Sequence, residues 1–140
     1  MNDVLLNKQA GIERCIRQVR RYYQAESAVP FKDDFLRQDA IALNLQRAIE
    51  QAIDCANYVV KKRKLGLPQS AGDSFTLLKT EGVIDEATRQ RMQGMVGFRN
   101  ILVHQYQQLN LDIMLNVIEN QLEDLIDFAH RMLKSLGQES

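Results

Sequence analysis

One stretch of the chain concentrates side chains able to do chemistry: Gly97-Phe98-Arg99-Asn100-Ile101-Leu102-Val103-His104-Gln105-Tyr106. Histidine is the residue type that titrates near neutral pH, so His104 is the acid/base candidate. Arg99 offers a permanently charged, planar fork of donors suited to phosphate oxygens. Asn100, one helical turn before His104, could fix the imidazole tautomer or hold the same anion. On an unbroken helix Arg99 and His104 point about 140° apart, while Arg99 and Tyr106 share a face. Convergence on one ligand atom therefore needs a helix that bends or ends near His104, or a second subunit that supplies one of the groups. The ordinary alternative is a core-edge histidine, a rim tyrosine and an exposed helix arginine.

The elements around this stretch read as helices. Residues 3 to 27 carry Leu5, Ile12, Ile16, Val19 and Tyr23 at helical spacing, with Arg14, Arg17, Arg20 and Arg21 as a basic stripe beside them. Pro30 interrupts this helix. Asp33 or Asp34 can cap a second helix, in which Ile41, Leu45, Ala48, Ala52, Cys55 and Val59 form one apolar row and Ile49, Ile53, Ala56 and Val60 another. Two adjacent rows make the wide face of a central helix. Lys61-Lys62-Arg63-Lys64 closes it, where the helix dipole alone favours cations. Asp73 or Ser74 can cap a short helix, and Asp85 the next, with Met92, Met95, Phe98 and Leu102 inward. Gly94 and Gly97 cost that helix about 1 kcal/mol each, so they are expected where a neighbouring backbone crosses. Asn110 caps a last helix whose inward row is Leu111, Leu115, Ile118, Leu122, Leu125, Ala129, Met132 and Leu136. The pattern predicts an all-α, antiparallel bundle of four long helices plus one short one, in a single domain over residues 1–140.

Composition narrows the function. With 17 Leu and 14 Gln against 2 Pro, 7 Gly and 3 Thr, long helices are favoured over strands and turns. Lys+Arg and Asp+Glu balance at 18 each, so any nucleic-acid binding needs a local patch. No apolar run approaches the ~20 residues of a membrane span, and Met1-Asn2-Asp3-Val4 carries no basic-then-apolar export pattern. Cys15 and Cys55 lie apart in apolar helical patterns, and with two His they make no zinc signature. The expectation is a cytoplasmic chain with neither a disulfide framework nor a metal site, and with no cofactor.

Arg99 to Tyr106 reads Arg-Asn-x3-His-x-Tyr, and this resembles the signature of the HEPN superfamily, specifically its HepT-like branch. The resemblance extends over roughly residues 40 to 130: the helix Ala48–Asp54, then Gly66-x-Pro68-x-Ser70, Phe75, Leu78, Gly82-Val83-Ile84 and Met95-x2-Phe98-Arg99-Asn100. A bare Arg-x4-His is common by chance; the extended form is specific. The resemblance implies a small helical toxin of a toxin–antitoxin pair that acts as a metal-independent endoribonuclease. It also implies a minimal nucleotidyltransferase antitoxin that silences the toxin by transferring AMP to Tyr106. The chain is not that partner, lacking a Gly-Ser turn followed by a paired Asp-x-Asp.

Metal-free RNA cleavage needs a proton acceptor for the 2′-hydroxyl, a donor for the leaving oxygen and positive charge at the phosphorane. His104, Arg99 and Asn100 fit these needs, but one histidine cannot easily be both base and acid. A homodimer would supply two His104 and two Arg99 to a shared cleft. Arg14, Arg17 and Arg21, with Lys61 and Lys62, would then extend the cleft as an RNA track; each group also has an ordinary explanation as solvated or dipole-compensating charge. Glu50 and Asp54 could contact Arg99 or His104, or be solvated. A reading from another class is a non-catalytic, nucleotide- or partner-binding companion of a nucleotidyltransferase, which retention of both Arg99 and His104 disfavours.

Overall fold

Six helices and two single 3-10 turns make up the computed structural model, which describes residues 2–137. α1 (Asp3–Gln24), α2 (Phe35–Lys62), α3 (Ala71–Thr80), α4 (Glu86–His104), α5 (Leu111–Asn120) and α6 (Leu122–Gly137) contain no strand between them among the described residues. α2 is the axis. Both of its expected apolar rows are buried, from Ile41 to Val60. α1 packs antiparallel to it, with Asn2 on Tyr58, Lys8 on Asp54 and Arg37 on the carbonyl of Tyr22. α4 is also antiparallel to α2, as Arg99 meets Glu50 and Tyr106 meets Asp39 further towards the N-terminal end of α2. α6 closes the bundle against α1, through Arg20–Glu123 and His130–Glu13. One contiguous core results, in which Phe75 of α3 meets Phe128 of α6 edge-on at 5.2 Å.

Several boundaries differ from expectation. α1 stops at Gln24 rather than near residue 27, because Ala25 turns extended (φ −63°, ψ 135°). Arg37, anchored on Asp34 at 2.8 Å, reaches back to donate to the carbonyls of Tyr22, Tyr23 and Ala25, which the helix end leaves open. Asp34, not Asp33, caps α2. Ser70 caps α3, where Asp73 or Ser74 was expected; Asp73 lies in the first turn and Ser74 is buried against Asn57.

The last helix is two. At Gln121 the backbone leaves helical geometry (φ −124°, ψ 0°), and its N–H donates to the Val117 carbonyl. No Pro or Gly marks the break, so it is imposed by packing. α5 buries Met114, Val117 and Ile118, leaving Leu111 and Leu115 only half-buried, and places Glu119 against the Tyr23 hydroxyl at 2.6 Å. The bundle therefore has four helices of sixteen residues or more and two of ten, not four plus one.

Gly94 and Gly97 mark no crossing within the chain. Both are exposed on α4, and a Cβ at either would meet nothing within 4 Å.

Candidate active site

α4 begins at a cap on Asp85 and runs unbroken to His104, with Gln105 leaving helical geometry (φ −140°, ψ 31°). Arg99 and His104 therefore belong to one regular helix and diverge by the expected ~140°. Arg99 falls on the inward side with Met92, Met95 and Leu102, whereas His104 continues the exposed side that carries Gly97. The helix ends at His104 without bending back, so it does not bring the two side chains together.

Arg99 is not the exposed helix charge of the ordinary alternative. Its side chain is 22% exposed and its Nη1 donates to Glu50 Oε2 at 3.4 Å. Its Nε is buried with no hydrogen-bond partner. An orphaned donor on a charged group is costly, typically 1–3 kcal/mol. Glu50 is thereby assigned to Arg99, while Asp54, one turn further along α2, pairs with Lys8 of α1 at 2.9 Å.

His104 is exposed as the last residue of α4. It shares an open depression of about 490 Å³ with Val103, Tyr106 and the glutamines 105, 107 and 108. Asn100 is exposed one turn before it. Tyr106 opens the 3-10 turn Tyr106–Gln108 and leaves the helix altogether, so it does not share the Arg99 face. Its ring packs on the core edge, and its hydroxyl donates to Asp39 Oδ1 at 2.6 Å. Burial, then that hydrogen bond and the carboxylate's charge, pushes the phenol pKa well above the ordinary tyrosine range. Glu50 and Asp39 are eleven residues apart on α2, about 16 Å of helix. Arg99 and the Tyr106 hydroxyl of one chain are thus held at different levels of the bundle.

The basic groups divide. Arg14, Arg17 and Arg21 are exposed on α1, and Arg14 lines a groove of about 700 Å³ between α1 and α2 with Lys8, Asn44, Arg47 and Glu50. Because α1 runs antiparallel to α2, this stripe lies level with the stretch of α2 that meets Arg99 and Tyr106. Lys61 and Lys62 do not join it. They are exposed at the far end of α2, 22 and 23 residues from Asp39, more than 30 Å along the axis, and Lys62 sits over the Tyr58 ring at 5.6 Å. Asp39, Arg47 and Arg37 were not singled out from sequence; only their spacing along one helix could have hinted at them. No group of three or more His, Cys, Asp or Glu among the described residues is gathered to hold a metal ion, and no helix among them is long and apolar enough to cross a membrane.

Residues 12–132 match the family model described as ribonuclease HepT-like, with the Arg99–Tyr106 segment inside the match. The chain belongs to the ribonuclease HepT-like family. It is 47% identical over 128 residues to a protein of Shewanella oneidensis named mRNA nuclease HepT, covering 91% of this chain and 95% of that protein. A solved structure of a tri-AMPylated Shewanella oneidensis HEPN toxin in complex with MNT antitoxin superposes with a TM-score of 0.88 at 45% identity, covering 96% of this chain and 99% of the other. A toxin–antitoxin crystal structure with AMP-PNP gives the same TM-score and identity, covering 94% of this chain and 99% of that one. The all-helical fold of this HepT-like chain is accordingly that of the HEPN toxins.

Proposed function

We propose that this HepT-like chain is the toxin of a toxin–antitoxin pair, a cytoplasmic endoribonuclease silenced by AMP transfer to Tyr106 from a minimal nucleotidyltransferase antitoxin. The observation that carries it is the family's Arg-Asn-x3-His-x-Tyr segment, set with an exposed His104 and an underpartnered Arg99 at the end of α4.

In the reaction, the substrate's 2′-oxygen gives its proton to a base and attacks the adjacent phosphorus. The P–O5′ bond breaks, and the leaving oxygen takes a proton from an acid. The products are a 2′,3′-cyclic phosphate and a 5′-hydroxyl. His104 supplies proton transfer, Arg99 the charge for the crowded phosphorane, and Asn100 a hydrogen bond to imidazole or phosphate. None of these roles requires a metal ion.

Two chains are needed. One His104 cannot be base and acid at once, and one α4 cannot turn Arg99 and His104 onto the same phosphorus. In a homodimer the exposed α4 faces, bare at Gly94 and Gly97 and in line with His104, allow two copies to approach closely and present both His104 side chains to one cleft. Arg14, Arg17 and Arg21 would carry flanking RNA, and Lys61 and Lys62, further along α2 beyond the level at which Arg99 meets Glu50, would touch only nucleotides more distant from His104.

Expression of the wild type without its antitoxin, compared with His104→Ala, tests the function. Growth arrest with RNA fragmentation in the wild type alone is the expected result. Equal growth and intact RNA in both would overturn it.

A further inference from the structure

The hydroxyl of Tyr106 is not free. It donates to Asp39 Oδ1 at 2.6 Å, a short charge-assisted bond reaching from the turn after α4 to the first turns of α2. We infer that Asp39 is the general base that takes the phenolic proton of Tyr106 when AMP is transferred to it, so that the toxin carries part of the catalytic machinery of its own silencing. The inference rests on the reading of Tyr106 as the AMP acceptor.

A phenol must lose its proton to become an ester, and Tyr106 is poorly placed to do so unaided. Burial, with the Asp39 hydrogen bond and charge, holds it protonated far above neutral pH. A free phenolate is therefore not the nucleophile, and the proton must depart as the new bond forms. The phenolic oxygen attacks the α-phosphorus of ATP bound to the nucleotidyltransferase. The O–P bond forms, the bond from that phosphorus to the β-phosphate's bridging oxygen breaks, pyrophosphate leaves, and the proton passes to Asp39. The geometry meets the hydrogen-bond reach required of a base.

The neighbouring groups leave Asp39 this role. Gln105, Gln107 and Gln108 offer no basic acceptor, and His104, at the end of α4, is exposed with no hydrogen bond to Tyr106 among the described contacts. Asp39 is the charged group that acts on the Tyr106 phenol. A carboxylate contact alone does not select the acceptor, since Tyr23 donates to Glu119 at the same 2.6 Å. What distinguishes Tyr106 is this contact combined with its place beside the open depression at His104. The transfer also dissolves the contact: the esterified oxygen has no proton to donate, and its phosphodiester repels Asp39. The modified ring is thereby driven out of its rest position towards the His104 depression, where it obstructs the site.

The test measures addition of the first AMP to Tyr106, by mass spectrometry, using chain made by cell-free synthesis with purified nucleotidyltransferase, ATP and magnesium. Asp39→Asn keeps a hydrogen-bond acceptor but not a base; Asp39→Glu keeps the carboxylate. Asp39 is exposed, so both variants should retain the helical circular dichroism spectrum. The expected result is a fall of about 100-fold in kcat for Asp39→Asn with little change in KM for the toxin, a deficit that narrows as pH rises, and partial recovery in Asp39→Glu. Asp39→Asn modified at the wild-type rate, or slowed only through KM, would overturn the base role. Absence of AMP from Tyr106 in the wild type would instead remove the acceptor itself, and the base with it.

Discussion

Dilution of the wild-type chain with His104→Ala separates a cleft that needs both histidines from two independent sites. The substitution is mild for the fold: His104 is exposed on the last turn of α4, where side-chain removal costs within about 0.5 kcal/mol. Its consequence for activity follows from the proton inventory, since cleavage needs a base and an acid and each chain brings one His104 to the cleft. If each cleft draws one base and one acid from two chains, only dimers with two wild-type subunits cleave. With a wild-type fraction p, those dimers form as p², so activity per wild-type chain falls as p itself. An equal mixture retains about half the activity per wild-type chain, and a one-in-ten mixture about one-tenth. Separate sites in each chain would leave that activity unchanged at every ratio. The assay is fluorescent-RNA cleavage after co-refolding, with subunit exchange checked by native mass spectrometry. Activity independent of p in fully exchanged dimers would refute a cleft that needs both histidines.

Tyr106→Phe removes the hydroxyl that meets Asp39 and so should cost no more than about 1 kcal/mol, seen as a drop of a few degrees in Tm. It should still cleave RNA and should escape AMP transfer; label appearing on Tyr22, Tyr23 or Tyr58 instead would overturn the acceptor assignment. Burial pushes the Cys55 thiol up to about 12, and Cys15 is raised by the same cause, so neither should react with iodoacetamide at pH 8.5 until the chain is unfolded. Hydrogen bonds from Arg89 and Gln90 lower the Glu86 carboxyl to about 2 at the N-terminus of α4. A depressed carboxylate stabilises the fold above its unfolded value and loses that contribution as pH falls through the folded one. Amide signals of the first α4 turn should therefore titrate with a midpoint near pH 2; a midpoint above 4 would contradict the contact.

The rows that build α1, α2 and α4 were legible because burial follows strict three-four spacing, and every inward residue expected on α2 is buried. The break at Gln121 was not, since nothing local forbids the helix and packing alone decides it. The motif at Arg99–Tyr106 was visible as residue types, and its divergence followed from helical geometry. Which neighbours those residues meet was not visible. Glu50 and Asp39 touch Arg99 and Tyr106 across 49 and 67 residues of sequence, a pairing that only the antiparallel docking of α4 on α2 creates. The Lys61–Lys62 pair looked equivalent to the arginine stripe until helix length placed it at the opposite end of the bundle.

The central claim is that His104 and Arg99 cleave RNA by 2′-hydroxyl attack. Purified, unmodified chain incubated with a defined RNA in EDTA, with the 5′ fragment weighed by mass spectrometry, tests it most directly. The predicted result is undiminished cleavage that leaves a 2′,3′-cyclic phosphate, abolished in His104→Ala and in Arg99→Ala. Cleavage lost in EDTA and restored by magnesium, or fragments ending in a 3′-hydroxyl, would contradict it.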